Sequence, residues 1–106
     1  MDELTWFKPE KEAARRAFDL AYQRECGAIM AKLKGMIESA SGPPDIWKIH
    51  NYLSEQRRET DKKYDYRYSV LLLVFARLCR EGWLTESDLR GLGADKILRI
   101  KQILDL

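Results

Sequence analysis

The sequence has little of what usually carries chemistry. Its 106 residues hold one histidine, His50, and two cysteines, Cys26 and Cys79. The cysteines lie far apart and match no metal-ligand spacing, so neither a metal site nor a disulfide framework is expected. Both fall in helical patterns and read as reduced thiols in packed or half-packed positions. There are only three prolines and six glycines, and they punctuate the chain rather than scatter through it. No strand pattern exists, so no Gly-rich loop after a strand can cradle a phosphate. Long apolar runs are missing too. Residues 70–76 give seven apolar residues before Arg77 interrupts, whereas a bilayer span needs about 20. The N-terminal stretch MDELTWFKPEKEAARR is charged and lacks an apolar h-region, so no signal peptide is expected. A net charge of +2 lacks the clustered excess of Lys and Arg that marks nucleic-acid binders.

What remains is helical. Pro9 stands near the start of the first periodic segment, where its missing N–H costs nothing, and Glu10 and Glu12 suit the positive end of a helix dipole. The apolar steps then run Ala14, Phe18, Tyr22, Ile29, Leu33, Met36 and Ala40, with Glu25 in one expected slot. No breaker intervenes before SGPP at residues 41–44, so the spacing predicts one helix of about thirty residues and about 45 Å. A small domain cannot cover such a helix along its whole length. A second copy of the chain is the simplest cover.

After SGPP, Asp45 is expected to cap a second helix with Ile46, Ile49 and Leu53 on its apolar face. At about 100° per residue, Trp47, His50, Ser54, Arg57 and Asp61 form a strip bordering that face. Trp and Arg are common anchors of protein–protein interfaces. The pair His50–Ser54 looks superficially like a base and a nucleophile. No phosphate or oxyanion loop accompanies it, and no enzyme is expected. The charges in RRETDKKYDYRY nearly cancel and can pair at helical spacing, so a solvated face is expected there rather than a phosphate-binding patch.

The stretch YDYRYSVLLLVFARL at residues 64–78 reads as the approach to, and body of, a third helix, buried on most sides and ended by Gly82. Thr85 opens a short helix with Asp88 in the capping-box position, ending near Gly91 or Gly93. A last helix over residues 94–104 places Ile97, Ile100 and Leu104 inside, and Lys96, Arg99 and Lys101 mainly outside. The residues alone therefore imply an all-α, dimeric adaptor that acts by binding.

Three segments carry a family resemblance: AYQREC at 21–26, IWKIHNYLSEQRRETDKKYDYRYSVLLLVFARL at 46–78, and EGWLTESDLRGLGADKI at 81–97. Together they resemble the fluorescence recovery proteins of cyanobacteria, in order and over nearly the whole chain. The resemblance implies an all-α homodimer, with a stalk of two long helices over about 8–63 and a helical head over about 64–106 of a single domain. It implies a non-enzymatic regulator that binds the photoactivated orange carotenoid protein. Such a regulator speeds return to the resting orange form and detachment from the phycobilisome, ending photoprotective quenching (non-photochemical quenching). The expected setting is cytoplasmic, peripheral to thylakoid membranes. No cofactor, metal, nucleic acid or small-molecule substrate is implied.

Carried over residue by residue, the partner-binding set is Trp47, His50, Asn51, Arg57, Leu73 and Arg99. The expected dimer interface is Ile46, Ile49 and Leu53, from the apolar helix face left uncovered, together with Trp47, His50 and Arg57. Asn51 stands where the family has an acidic residue, Leu73 where it has an aromatic one, and Arg99 where it has lysine. The departures leave an alternative: a dimeric adaptor of the same kind with another client, in an organism lacking phycobilisomes. For the three tyrosines of YDYRYS, closing the join between stalk and head is expected ahead of direct partner contact.

Overall fold

The structure, a computed structural model, describes residues 4–106. Four α-helices, α1 Lys8–Ser39, α2 Pro43–Lys63, α3 Leu71–Arg80 and α4 Ala94–Leu104, account for most of it, with a short 3-10 helix at Glu86–Leu89. Among the described residues there is no strand, and no helix is long and apolar enough to cross a membrane.

The 32 residues of α1 begin where the sequence says they should. Pro9 lies in the first turn, and the Phe7 amide donates to Glu10 Oε1 at 3.1 Å. The second helix starts earlier than expected. Gly42, not Asp45, is its cap, and Pro43 and Pro44 fill its first turn. Prolines lack the N–H groups that the first turn leaves unpaired anyway. Asp45 is therefore the third helical residue. Its carboxylate reaches back to accept from the amides of Ser41 at 2.9 Å and Gly42 at 3.3 Å. The third helix closes with Gly82 at φ 85°. There the Trp83 amide donates to Leu78 O at 2.9 Å and the Gly82 amide to Cys79 O at 3.1 Å, a Schellman closure. The capping box appears as expected, with the Thr85 amide and hydroxyl donating to Asp88 Oδ2 at 2.8 and 3.0 Å.

The core of the head is not built from residues after 63 alone. Ala13, Ala14, Ala17, Phe18 and Ala21 of α1 join Leu71, Leu72, Val74, Phe75, Ala76 and Leu78 of α3 in one buried cluster. Leu84, Leu89, Leu92 and Ile100 complete it. Four alanines on one face of α1 let the opposing backbone come close. At Gly91, whose φ is 105°, an added Cβ would lie 2.7 Å from Ala13 Cβ.

Lys96 is a correction. It was expected mainly outside, yet it is 1% exposed. It precedes Ile100 by four residues and so shares that buried face. Its ammonium lies 3.1 Å from Glu10 and 3.0 Å from Asp95, donates also to the Thr5 carbonyl, and sits 5.3 Å from the centre of the Trp6 ring. Glu10 in turn accepts from the Gly93 amide at 2.6 Å, so one carboxylate serves the starts of both α1 and α4.

Beyond Glu25 no residue of α1 is buried, and α2 buries only Thr60 and Lys63. The two helices run back on each other as a stalk. Cys26, Ile29, Leu33 and Met36 of α1, and Ile49 and Tyr52 of α2, are half-covered there. The molecule measures 55 × 25 × 25 Å, with the head at one end.

Candidate protein-binding site

The α2 strip is on the surface. Trp47 is 64% exposed, and its ring lies 6.4 Å from that of His50 at 72°. His50 Nδ1 is 3.5 Å from Asn51 Oδ1, a long contact between two exposed side chains. Arg57 reaches Asp61 at 3.8 Å with its side chain 86% exposed. An ion pair that open and that long holds the guanidinium weakly, so its planar fork is free for a carboxylate. Ile46 and Leu53 are exposed beside the strip, and Ile49 is half-buried. On α1, Tyr22, Met30 and Ile37 are exposed as well. Large apolar side chains spread along both helices are more than scattered surface hydrophobics.

Leu73 on α3 and Arg99 on α4 are both exposed, as a binding role requires, but they belong to the head. The candidate partner-binding residues thus fall on three helices and in both parts of the molecule. Trp47 and His50 meet directly. Along α2, Arg57 stands about 15 Å from Trp47 at the helical rise.

Sequence reasoning missed the ionic knot where stalk meets head. Glu25 interrupts the apolar stripe because it receives Lys63 Nζ at 2.6 Å and the Tyr64 hydroxyl at 2.8 Å. Lys63 also bonds Glu81 at 2.6 Å, and Glu81 accepts from Arg77 at 2.8 Å and from the Trp83 indole at 3.2 Å. Burial, reinforced by the Glu25 carboxylate, pushes the Tyr64 hydroxyl up from its ordinary pKa. Burial also pushes the Glu81 carboxyl up, but hydrogen bonds from Lys63 and Arg77 outweigh it and leave the group below the ordinary value. The signal was present in the sequence: a glutamate in an apolar slot asks for a buried cation.

The tyrosines line the same join. Tyr64 and Tyr66 meet Phe18 edge-on at 5.4 and 4.9 Å, Tyr64 meets Tyr22 at 5.1 Å, and Tyr68 packs on Trp6 at 5.1 Å. Arg15 lies 4.5 Å above the Tyr66 ring. Among the described residues no group of three or more His, Cys, Asp and Glu side chains is placed to hold a metal.

Fold and surface together define an all-helical protein of the binding class, a long hairpin on a compact head with aromatic, apolar and basic side chains exposed. The profile described as photoprotection regulator fluorescence recovery protein matches residues 6–104. The chain belongs to the fluorescence recovery protein family. It is 38% identical to the fluorescence recovery protein of Synechocystis over 104 residues, 98% of this chain and 95% of that one. The solved structure of the Fremyella diplosiphon fluorescence recovery protein is 42% identical with a TM-score of 0.87, covering 96% of this chain and all of that one. The Synechocystis structure matches over the same shares at 38% identity and a TM-score of 0.88.

Proposed function

We propose that the protein is a homodimeric, non-enzymatic regulator that binds a photoactivated orange carotenoid protein and returns it to its resting form. Return to that form detaches the carotenoid protein from the phycobilisome and ends quenching. The observation that carries this reading is the strip on α2, where Trp47 and Arg57 stand exposed beside Ile46 and Leu53. Trp offers a large rigid contact at low entropic cost, and Arg a planar fork; both recur as interface hot spots. The apolar residues next to them suit a second copy of the chain. His50 lies on the strip and Asn51 beside it, and Leu73 and Arg99 supply contacts from the head. The site of action is cytoplasmic, beside the thylakoid surface.

The mechanism is a population shift. The client alternates between a compact resting form and an open active form. A protein that grips the surfaces exposed in the open form, and favours the compact arrangement on the way back, speeds recovery without covalent chemistry. Turnover requires that affinity fall once the client is compact, so the contacts are weak and transient.

The test is optical. A carotenoid protein is driven to its red form by light, and its relaxation to orange is followed in the dark with substoichiometric amounts of this protein. Acceleration is expected. An unchanged rate with folded, helical protein contradicts the proposal. It would favour a different client, for which the neutral Asn51 beside the strip already gives a reason.

A further inference from the structure

A cavity of about 240 Å³ opens on the head between the end of α3, the 3-10 helix and α4. It is separate from the α2 strip. Leu84, Leu89 and Ile100, all buried, and Cys79, Ile97 and Leu104, all half-covered, line it. Two charged side chains complete the lining, Glu86 and Lys101. Both are well exposed, so they stand at the mouth, where Lys101 Nζ meets Glu86 Oε1 at 3.0 Å. A second cation stands nearby: Arg80 reaches the carbonyl of Ile103, beside the lining residue Leu104, at 3.4 Å. An apolar pit with Lys101 and Glu86 at its mouth, Arg80 just beyond its lining and the Arg24-paired Asp88 near Cys79 fits a molecule with a greasy body and an anionic head.

Size narrows the class. An apolar cavity of about 150 Å³ accepts benzene, so 240 Å³ accommodates a body of about eight to ten carbons. We propose that this cavity binds a medium-chain monocarboxylate, with its chain between Leu89, Ile97 and Ile100 and its carboxylate taken by Lys101 in place of Glu86. The Glu86–Lys101 pair is then the closed state of the mouth. Being exposed on both sides, it opens at little cost.

Cys79 supplies the readout. Burial pushes its thiol up from the ordinary value, which keeps it slow to react. Iodoacetamide alkylation is followed by mass spectrometry on the full chain, with Cys26 of the stalk as internal reference. Octanoate, the probe, is expected to protect Cys79 and not Cys26, with half-protection below about 1 mM for a ligand of this size. Octylamine is expected to protect less. Lys101→Ala should weaken octanoate about threefold while leaving octanol unchanged. Glu86→Gln, which frees Lys101, should tighten octanoate. Leu104→Phe fills the cavity from its half-covered side and should abolish protection, with helicity retained by circular dichroism. Protection by octylamine equal to that by octanoate, or weaker octanoate binding in Glu86→Gln, overturns the assignment of the head group. Cys79 alkylation indifferent to octanoate at ten times the expected concentration overturns the site.

Discussion

At the scale of single residues, the buried charges matter most. Lys63, with its side chain 5% exposed, is among the described residues the only cation bonded to Glu25 and lies between it and Glu81. Removing one member of a buried pair leaves the other charge unmatched, which costs about 3 kcal/mol. Lys63→Met is therefore expected to lower the urea midpoint sharply. Adding Glu25→Leu should recover part of the loss, and additive losses in that double-mutant cycle would contradict the coupling. Asp88 gives a pH dependence. Hydrogen bonds from Arg24, at 2.7 Å, hold its carboxyl at about 2, below the ordinary carboxylate range. A carboxyl with a depressed folded pKa contributes stability that is fully present above its unfolded value of about 3.9. That contribution is lost as pH falls from about 4 through 2. Replacing Arg24 with Gln should flatten stability against pH in that window, as read by chemical denaturation at a series of pH values. An unchanged slope would place the acid sensitivity elsewhere. Residue-scale features were the least legible in the sequence. Periodicity puts both Glu25 and Lys96 on apolar faces, but their charge argues for solvent. Only the approach of a distant partner, Glu10 or Lys63, makes their burial favourable.

At the scale of elements, the sequence was far more informative, because punctuation and period are local. Pro9, the SGPP run, Gly82 and the Thr85–Asp88 pair bound the helices within a residue or two of where they fall. Asp45 misled by three positions, since the cap is Gly42. It has the chemistry of a cap, but the two prolines before it are themselves well suited to a first turn, and its carboxylate serves from the third position instead. The approach of Gly91 to α1 could not be read locally at all. It depends on Ala13 lying opposite, 78 residues away by number (91 less 13). Gly91→Ala combines a left-handed backbone with a 2.7 Å clash, and should cost about 2 kcal/mol or more. A thermal midpoint equal to that of the parent would show that α1 and the 90–93 turn are less tightly apposed than they stand here.

At the scale of the whole molecule, shape is the argument. A compact chain of this length has a radius of gyration of about 13 Å, whereas this one has 17.0 Å. The excess is the stalk, where Met30, Ile37, Ile46, Trp47 and Leu53 face outward. A single chain leaves that surface uncovered; the proposed second copy would cover it. Charge at Leu53 would then be buried without a partner, so Leu53→Glu should give monomers, and light scattering that still finds a dimer at micromolar concentration would refute the interface. The uncovered length of α1 was legible from sequence, since it follows from helix length against domain size. Which strip a client touches was not, because exposure on α2 leaves Trp47 and Arg57 free for either a second copy or a client. The central claim is that the strip serves the client. Its most direct test is the dark relaxation rate of an illuminated carotenoid protein with Arg57→Leu, measured on the preparation whose oligomeric state has been determined. The expected result is acceleration reduced about thirtyfold, as for a hot-spot truncation, in an intact helical dimer. Full acceleration by that intact dimer would contradict it.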